Sequence, residues 1–193
     1  TVSPRIKFYR EVGDKIFRPK LTEQAEASLL TLGGFAEVGR SCMLLETRES
    51  KIILDGGLNV SAKDPLAATP RFDIAGIGMD DVDAVVLSHA HLDHTGFLPA
   101  LFKYGYSGPV YCTEPTLLLM SMLQRDYLRH SGNDALYSEQ DIDSAVTHTI
   151  TLMYGIVTDI SPDIKLVLSN SGHIIGSSSI HMHIGNGQHN LVY

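Results

Sequence analysis

Residues His89-Ala90-His91-Leu92-Asp93-His94 place three histidines and an aspartate within six positions. Imidazole and carboxylate are the side chains that zinc and neighbouring divalent ions take as ligands. His89 and His91 lie two apart. On extended chain both rings face one side, with their backbones about 6.6 Å apart, so both can converge on one ion. Asp93 and His94 follow where the chain turns into a helix, and they can hold a second ion beside the first. Two ions about 3.5–4 Å apart can clamp a bridging hydroxide and both oxygens of a displaced phosphate. The spacing therefore points to metal-assisted hydrolysis. The plain alternative is a histidine-rich surface loop without metal; four ligand-type residues in so short a stretch weigh against it.

The elements that must position this cluster can be read from its flanks. Ala84-Val85-Val86-Leu87 is an apolar run of strand type. Pro99 is tolerated only in the first turn of a helix, which places a helix start near Thr95. The cluster then sits on a loop leaving the carboxyl end of a strand, where layered α/β folds build their sites. Upstream, Ala25–Leu32 reads as a strand, and Ser41–Thr47 and Lys51–Leu54 as a hairpin. The hairpin ends in Asp55-Gly56-Gly57. Asp55 can orient a ligand histidine from behind, or it can serve only the turn. Residues 58–80 carry Pro65, Pro70, Gly76 and Gly78 and read as loop.

Downstream, Val110-Tyr111-Cys112 is a short strand. Thr113 caps a helix to about His130, with Leu117, Leu118, Met122 and Leu128 expected on its buried face. Ser138-Glu139-Gln140-Asp141 opens a second helix to about Thr147. The rest is strand-rich. Ile164–Ser169 alternates with period two and ends in Asn170-Ser171-Gly172-His173, so His173 is the candidate third imidazole for the first ion. His181 and His183 share one strand face; like His130, His148 and His189, they read as surface or hydrogen-bonded residues rather than ligands. Strand-rich halves with helices between predict two packed sheets covered by helices on both sides.

Composition narrows the class. A chain of 193 residues can bury one sizeable core. Two distant cysteines, Cys42 and Cys112, make no disulfide framework and fit a reducing, cytoplasmic setting. No apolar run is long enough to span a bilayer, and the N-terminus lacks the apolar core of a signal peptide. The chain begins with Thr1 and stops within the strand-like run His189–Tyr193, as a piece of a longer protein would. Net charge is −7, unevenly spread: residues 1–20 hold six basic and two acidic side chains, while the remainder is strongly acidic. A basic arm on an acidic body can steer toward phosphates, or can simply be a solvated arm.

The cluster His89–His94, with Leu54-Asp55-Gly56-Gly57 and Ser171-Gly172-His173, resembles the motif set of the metallo-β-lactamase superfamily. Gly33–Cys42, Gly108–Thr116 and Asn170–Ser177 are similar to its β-CASP nucleic-acid-processing branch, and within it to archaeal homologues of the cleavage and polyadenylation specificity factor. The resemblance covers nearly the whole chain. It implies an α/β fold, the αββα sandwich of metallo-β-lactamases, incomplete at its C-terminus, with residues 23–193 forming its first part. Residues 1–22 resemble the segment that joins this domain to preceding KH domains. The implied activity is hydrolysis of RNA phosphodiester bonds by two zinc ions, in RNA 3′-end processing or decay. His89, His91 and His173 would hold one ion and Asp93 and His94 the other; Asp93 would also orient the nucleophile, and Asp55 would support the cluster. RNA is the implied partner, with dimerisation through regions outside the chain. An aspartate bridging both ions and a later general acid would follow Tyr193, so these residues alone are expected to be inactive. Gly56 stands where relatives often have Cys, and Ser171 where they often have Ala. A small-molecule hydrolase of the same fold and a catalytically inactive RNA-processing scaffold are the rival expectations.

Overall fold

The computed structural model describes residues 3–132 and 135–193. Two sheets carry the architecture. The first has six strands in sequence order: β1 (Ala27–Gly33), β2 (Cys42–Thr47), β3 (Lys51–Leu54), β4 (Ala84–Val86), β5 (Val110–Cys112) and β6 (Thr149–Thr151). Strands β1 to β3 run antiparallel, whereas β3, β4, β5 and β6 pair in parallel. The second sheet is antiparallel, in the order β10 (His189–Val192), β9 (Ser178–Ile184), β8 (Ile164–Asn170), β7 (Thr158–Asp159). The helices are α1 (Pro4–Ile16), α2 (Pro65–Ala68), α3 (Leu92–Thr95), α4 (Leu98–Lys103), α5 (Glu114–Ser131) and α6 (Glu139–Thr147).

Side-chain periodicity explains the layering. In β2, Met43 and Leu45 face the second sheet while Cys42 and Leu44 face the helices. In β9, Ile180, Met182 and Ile184 point into the same inter-sheet core. Strands β4 and β5 are buried along their whole length, as parallel strands covered on both faces must be. Residues of α4, α5 and α6 share the other core with this sheet. Among the described residues the inter-sheet core contains no helix residue, and the expected α/β sandwich, in its incomplete form, is the one observed.

Several expectations are corrected in detail. The cluster helix begins at Leu92, not near Thr95, and breaks at Gly96-Phe97 before α4. On α5 the buried residues are Thr116, Met120 and Gln124, whereas Leu118 and Met122 are 65% and 60% exposed. The loop 58–80 contains α2 and two short 3-10 turns.

The basic arm is largely helical. Val12 of α1 is buried, and the Phe8 ring meets His148 edge-on, with centroids 4.8 Å apart. Beyond the helix, Arg18 donates to the Glu49 carboxylate and carbonyl, and the same carboxylate accepts from Leu21 and Thr22 N–H. Burial opposes the charge on Glu49, but these donors prevail and hold its carboxyl below the usual range. Val12 and Ile16 line a small cleft with Asp83 and Pro109, which lead into β4 and β5. The arm thus lies at the amino ends of the parallel strands, opposite the histidine cluster.

Candidate metal centre

The centre forms at the carboxyl ends of β3 and β4. Asp55 ends β3 with φ of +58°, a left-handed conformation that aspartate tolerates better than most residues. Its backbone N–H donates to Val86 O at 2.9 Å, and its carboxylate is fully buried. Four donors hold that carboxylate. Ser88 N–H reaches Oδ1 at 2.7 Å; Ser88 Oγ and His94 Nδ1 each approach Oδ2 at 2.7 Å, and Tyr193 Oη approaches it at 2.9 Å.

Helix α3, which carries Asp93 and His94, is too short to satisfy its own carbonyls. Neighbouring segments do so. Leu92 O accepts from Leu58 and Gly96 N–H, Asp93 O from Ser41 N–H, and His94 O from Gly56 N–H. Thr95 O accepts from the fully buried Gln124 Nε2 at 2.9 Å. The approach requires glycine at 57, where a Cβ would sit 1.7 Å from Asp93 O. The second glycine after Asp55 therefore lets β3's exit run directly beneath the helix.

His173 arrives from the other sheet, on the loop joining β8 to β9. Ser177 Oγ accepts from His173 and Ile174 N–H, both at 3.1 Å. Gly176 O accepts from Thr113 Oγ1 at 2.6 Å and Thr116 Oγ1 at 2.9 Å, which straps the loop to the start of α5. Ser178 N–H and Oγ both donate to Ser88 O, at 2.8 and 3.0 Å.

These supports bring three imidazoles together. His89 Nε2 lies 3.1 Å from His91 Nδ1, which lies 3.4 Å from His173 Nε2. Ring centroids of His173 are 4.8 Å from His89 and 5.1 Å from His91. A tetrahedral ion with metal–nitrogen bonds of about 2.0–2.1 Å sets its ligand nitrogens about 3.3–3.4 Å apart. Two of the three pairs are near that spacing and all three ligand atoms lie within 4.8 Å of one another, so the set needs only a small inward shift to hold a zinc-like ion. Beside it, His94 Nε2 lies 3.7 Å from Asp93 Oδ2, and the His89 and His94 rings are 4.1 Å apart. Asp93 and His94 fit as ligands of a second ion.

The two flanking histidines are pushed in opposite directions. Burial, and then the neighbouring His94, lower the pKa of His89 to about 4, which keeps it neutral and available as a ligand. Burial also opposes charge on His94, but hydrogen bonding to Asp55 and the charges of Asp55 and Asp93 outweigh it and raise its pKa.

A family comparison over residues 36–193 matches the metallo-beta-lactamase superfamily. The chain belongs to the metallo-β-lactamase superfamily. Among relatives, it is 57% identical over 192 residues to "Transcription termination factor FttA" of Cenarchaeum symbiosum, covering 98% of this chain and 30% of that protein. It is 51% identical to the protein of that name from Lokiarchaeum sp., covering 95% of this chain and 29% of the relative. The chain thus spans about 30% of the length of such relatives. Among solved structures, a metallo-beta-lactamase from Cronobacter sakazakii with a HARLDQ motif superposes with a TM-score of 0.60 at 22% identity, covering 86% of this chain and 60% of that one. A subclass B3 metallo-beta-lactamase from a soil metagenome, MEM-A1, gives 0.57 at 20%, covering 86% and 58%.

Within this superfamily domain the remaining histidines lie elsewhere. His148 packs against Phe8 and Phe102, His130 is exposed near the end of α5, and His189 reaches Ala25 O. His181 and His183 stack on each other on β9, with centroids 4.2 Å apart. Ser88, Tyr193, Gln124, Thr113 and Thr116 carry no sequence signal for a role in the centre; Thr113 is expected only as a helix cap. Thr113 fulfils that expectation by accepting from Thr116 N–H, but its hydroxyl also straps the His173 loop.

Proposed function

We propose that this chain is the metal-binding core of an archaeal protein that cleaves RNA phosphodiester bonds and acts in transcription termination. The convergence of three imidazoles, with ligand atoms within 4.8 Å of one another, and of Asp93 and His94 alongside, carries the reading. The shared name of the archaeal relatives supports the setting in transcription and its RNA partner. Two zinc ions held there would supply Lewis acidity and a water of lowered pKa.

The protein's own contribution is positional and electrostatic. His89, His91 and His173 form one ligand set, held by loops from the two sheets. Asp93 lies beside His94 and orients the attacking water by hydrogen bonding. Asp55 holds His94 from behind and leaves Nε2 facing the cleft. The remainder of the longer protein completes the ligand set and the RNA path; the 193 residues alone do not cleave.

The test uses the full-length protein and a labelled RNA. Cleavage should depend on divalent metal, and Asp93→Ala should abolish it while leaving RNA binding intact. Cutting by Asp93→Ala at a rate near wild type overturns the assignment.

A further inference from the structure

Ser88 lies at the meeting point of the two ligand groups, and all its polar atoms are engaged. Its N–H and hydroxyl both reach Asp55, and its carbonyl accepts from Ser178 of the opposite sheet. Its Oγ also lies 3.0 Å from His89 Nδ1. The residue is only 8% exposed, so water has little access to substitute for these partners.

Proton counting fixes the direction of each bond. A serine hydroxyl has one proton and two acceptor lone pairs, whereas an ionised carboxylate only accepts. The Ser88 proton therefore goes to Asp55 Oδ2, and the oxygen is left to accept from His89 Nδ1. That places the His89 proton on Nδ1 and leaves the Nε2 lone pair facing His91 Nδ1, 3.1 Å away. His94 is set in the same way by direct contact, since its Nδ1 lies 2.7 Å from the same carboxylate oxygen.

We propose that Ser88 is a positioning residue: its hydroxyl extends the hold of Asp55 to His89, so one buried carboxylate sets the tautomer of a ligand in each of the two metal groups. This inference rests on the metal-centre reading above. Without the hydroxyl, His89 Nδ1 has no acceptor among the described residues. The favoured tautomer then carries its proton on Nε2, donates to His91 Nδ1, and offers no lone pair to an ion.

The experiment compares wild type, Ser88→Ala and Ser88→Thr of the full-length protein. Zinc affinity is read by competition with a chromogenic chelator, alongside thermal unfolding of the metal-free forms. Supporting partners of ligand histidines typically contribute about 10–100-fold in affinity. Ser88→Ala should lose that much at one ion, and Ser88→Thr, which retains the hydroxyl, should recover most of it. In the metal-free protein, 15N shifts of the His89 ring should show the proton on Nδ1 in wild type and on Nε2 in Ser88→Ala. Wild-type affinity or an unchanged tautomer in Ser88→Ala overturns the proposal and leaves the metal centre standing. Equal losses in the alanine and threonine variants, with unchanged unfolding, also overturn it. Failure of the wild-type protein to bind zinc removes the metal-centre reading itself, and this proposal with it.

Discussion

Replacing Asp55 with asparagine removes one charge and changes little else. Asparagine tolerates the left-handed backbone at this position nearly as well as aspartate, so φ of +58° is not the cause of any defect. If its oxygen keeps the bond from Ser88 N–H, its amide nitrogen takes the place of Oδ2. There it faces Ser88 Oγ, His94 Nδ1 and Tyr193 Oη, all of them donors to the carboxylate. The hydroxyls can rotate and accept. His94 Nδ1 can accept only by moving its proton to Nε2, the atom that faces Asp93. Restoring the ligand tautomer should weaken the Asp93/His94 ion by about 10–100-fold, equivalent to about 1.4–2.8 kcal/mol. Loss of hydrogen bonds to a charged acceptor should cost folding about 1.5–3 kcal/mol as well. Chelator competition measures the first quantity and urea unfolding of the metal-free protein the second. Asp55→Ala separates the backbone contribution: it should bind metal as poorly as Asp55→Asn but add about 1–3 kcal/mol of strain. Wild-type zinc affinity in a folded Asp55→Asn protein would refute the tautomer argument.

The adjacent glycines should behave in opposite ways. At Gly57 an added Cβ meets Asp93 O at 1.7 Å and Ser41 N at 2.6 Å, both backbone atoms, so Gly57→Ala should destabilise by about 1–3 kcal/mol and weaken the Asp93/His94 ion. At Gly56 the nearest atom is 3.6 Å away, so Gly56→Ala should fold and bind metal normally; urea midpoints and zinc affinities of the pair check both. Stability of the metal-free protein should depend on pH through two histidines of opposite sign. His89 stays neutral in the fold down to about pH 4, whereas the unfolded chain takes up a proton below its ordinary value near 6.5, so stability falls as pH drops through that window. His94 works the other way: its raised pKa stabilises the fold at low pH, and that contribution is lost as pH rises through the raised value. Urea midpoints at pH 7 and 5 should therefore fall less for His89→Gln than for wild type; equal falls would count against the His89 shift.

What could be read from the sequence was local. The hairpin Cys42–Leu54, the strand entering the cluster and the capping box at Ser138 follow from short-range patterns, and each forms close to the expected bounds. His173 was singled out by type and by its place after an alternating strand, and it does meet His89 and His91. The failures are tertiary. The α5 sequence has apolar residues on more than one face, so periodicity alone could not choose among them. The fold buries Gln124 because Thr95 O needs a donor, a requirement visible only when α3 and α5 meet. Strands β6 and β7 are three and two residues long, too short to show a periodic pattern of their own. The charge of the basic arm is legible in the sequence and leaves steering and solvation open, but its position is not: α1 packs near the opposite end of the strands from the cluster.

The division of the centre between two sheets has a physical consequence. His89, His91, Asp93 and His94 belong to the mixed sheet's exit loops and α3, whereas His173 belongs to the antiparallel sheet. Near the centre, polar ties between these halves include Ser178 on the Ser88 carbonyl, Tyr193 on the Asp55 carboxylate, and Thr113 and Thr116 on the Gly176 carbonyl. An ion bound by His89, His91 and His173 adds a further tie at the same seam, so its binding energy is shared with sheet docking rather than confined to a loop. The reverse also follows. A substitution that loosens the inter-sheet core near Leu168 or Ile180 moves His173 relative to His89, and zinc affinity reports that movement without any ligand having been changed.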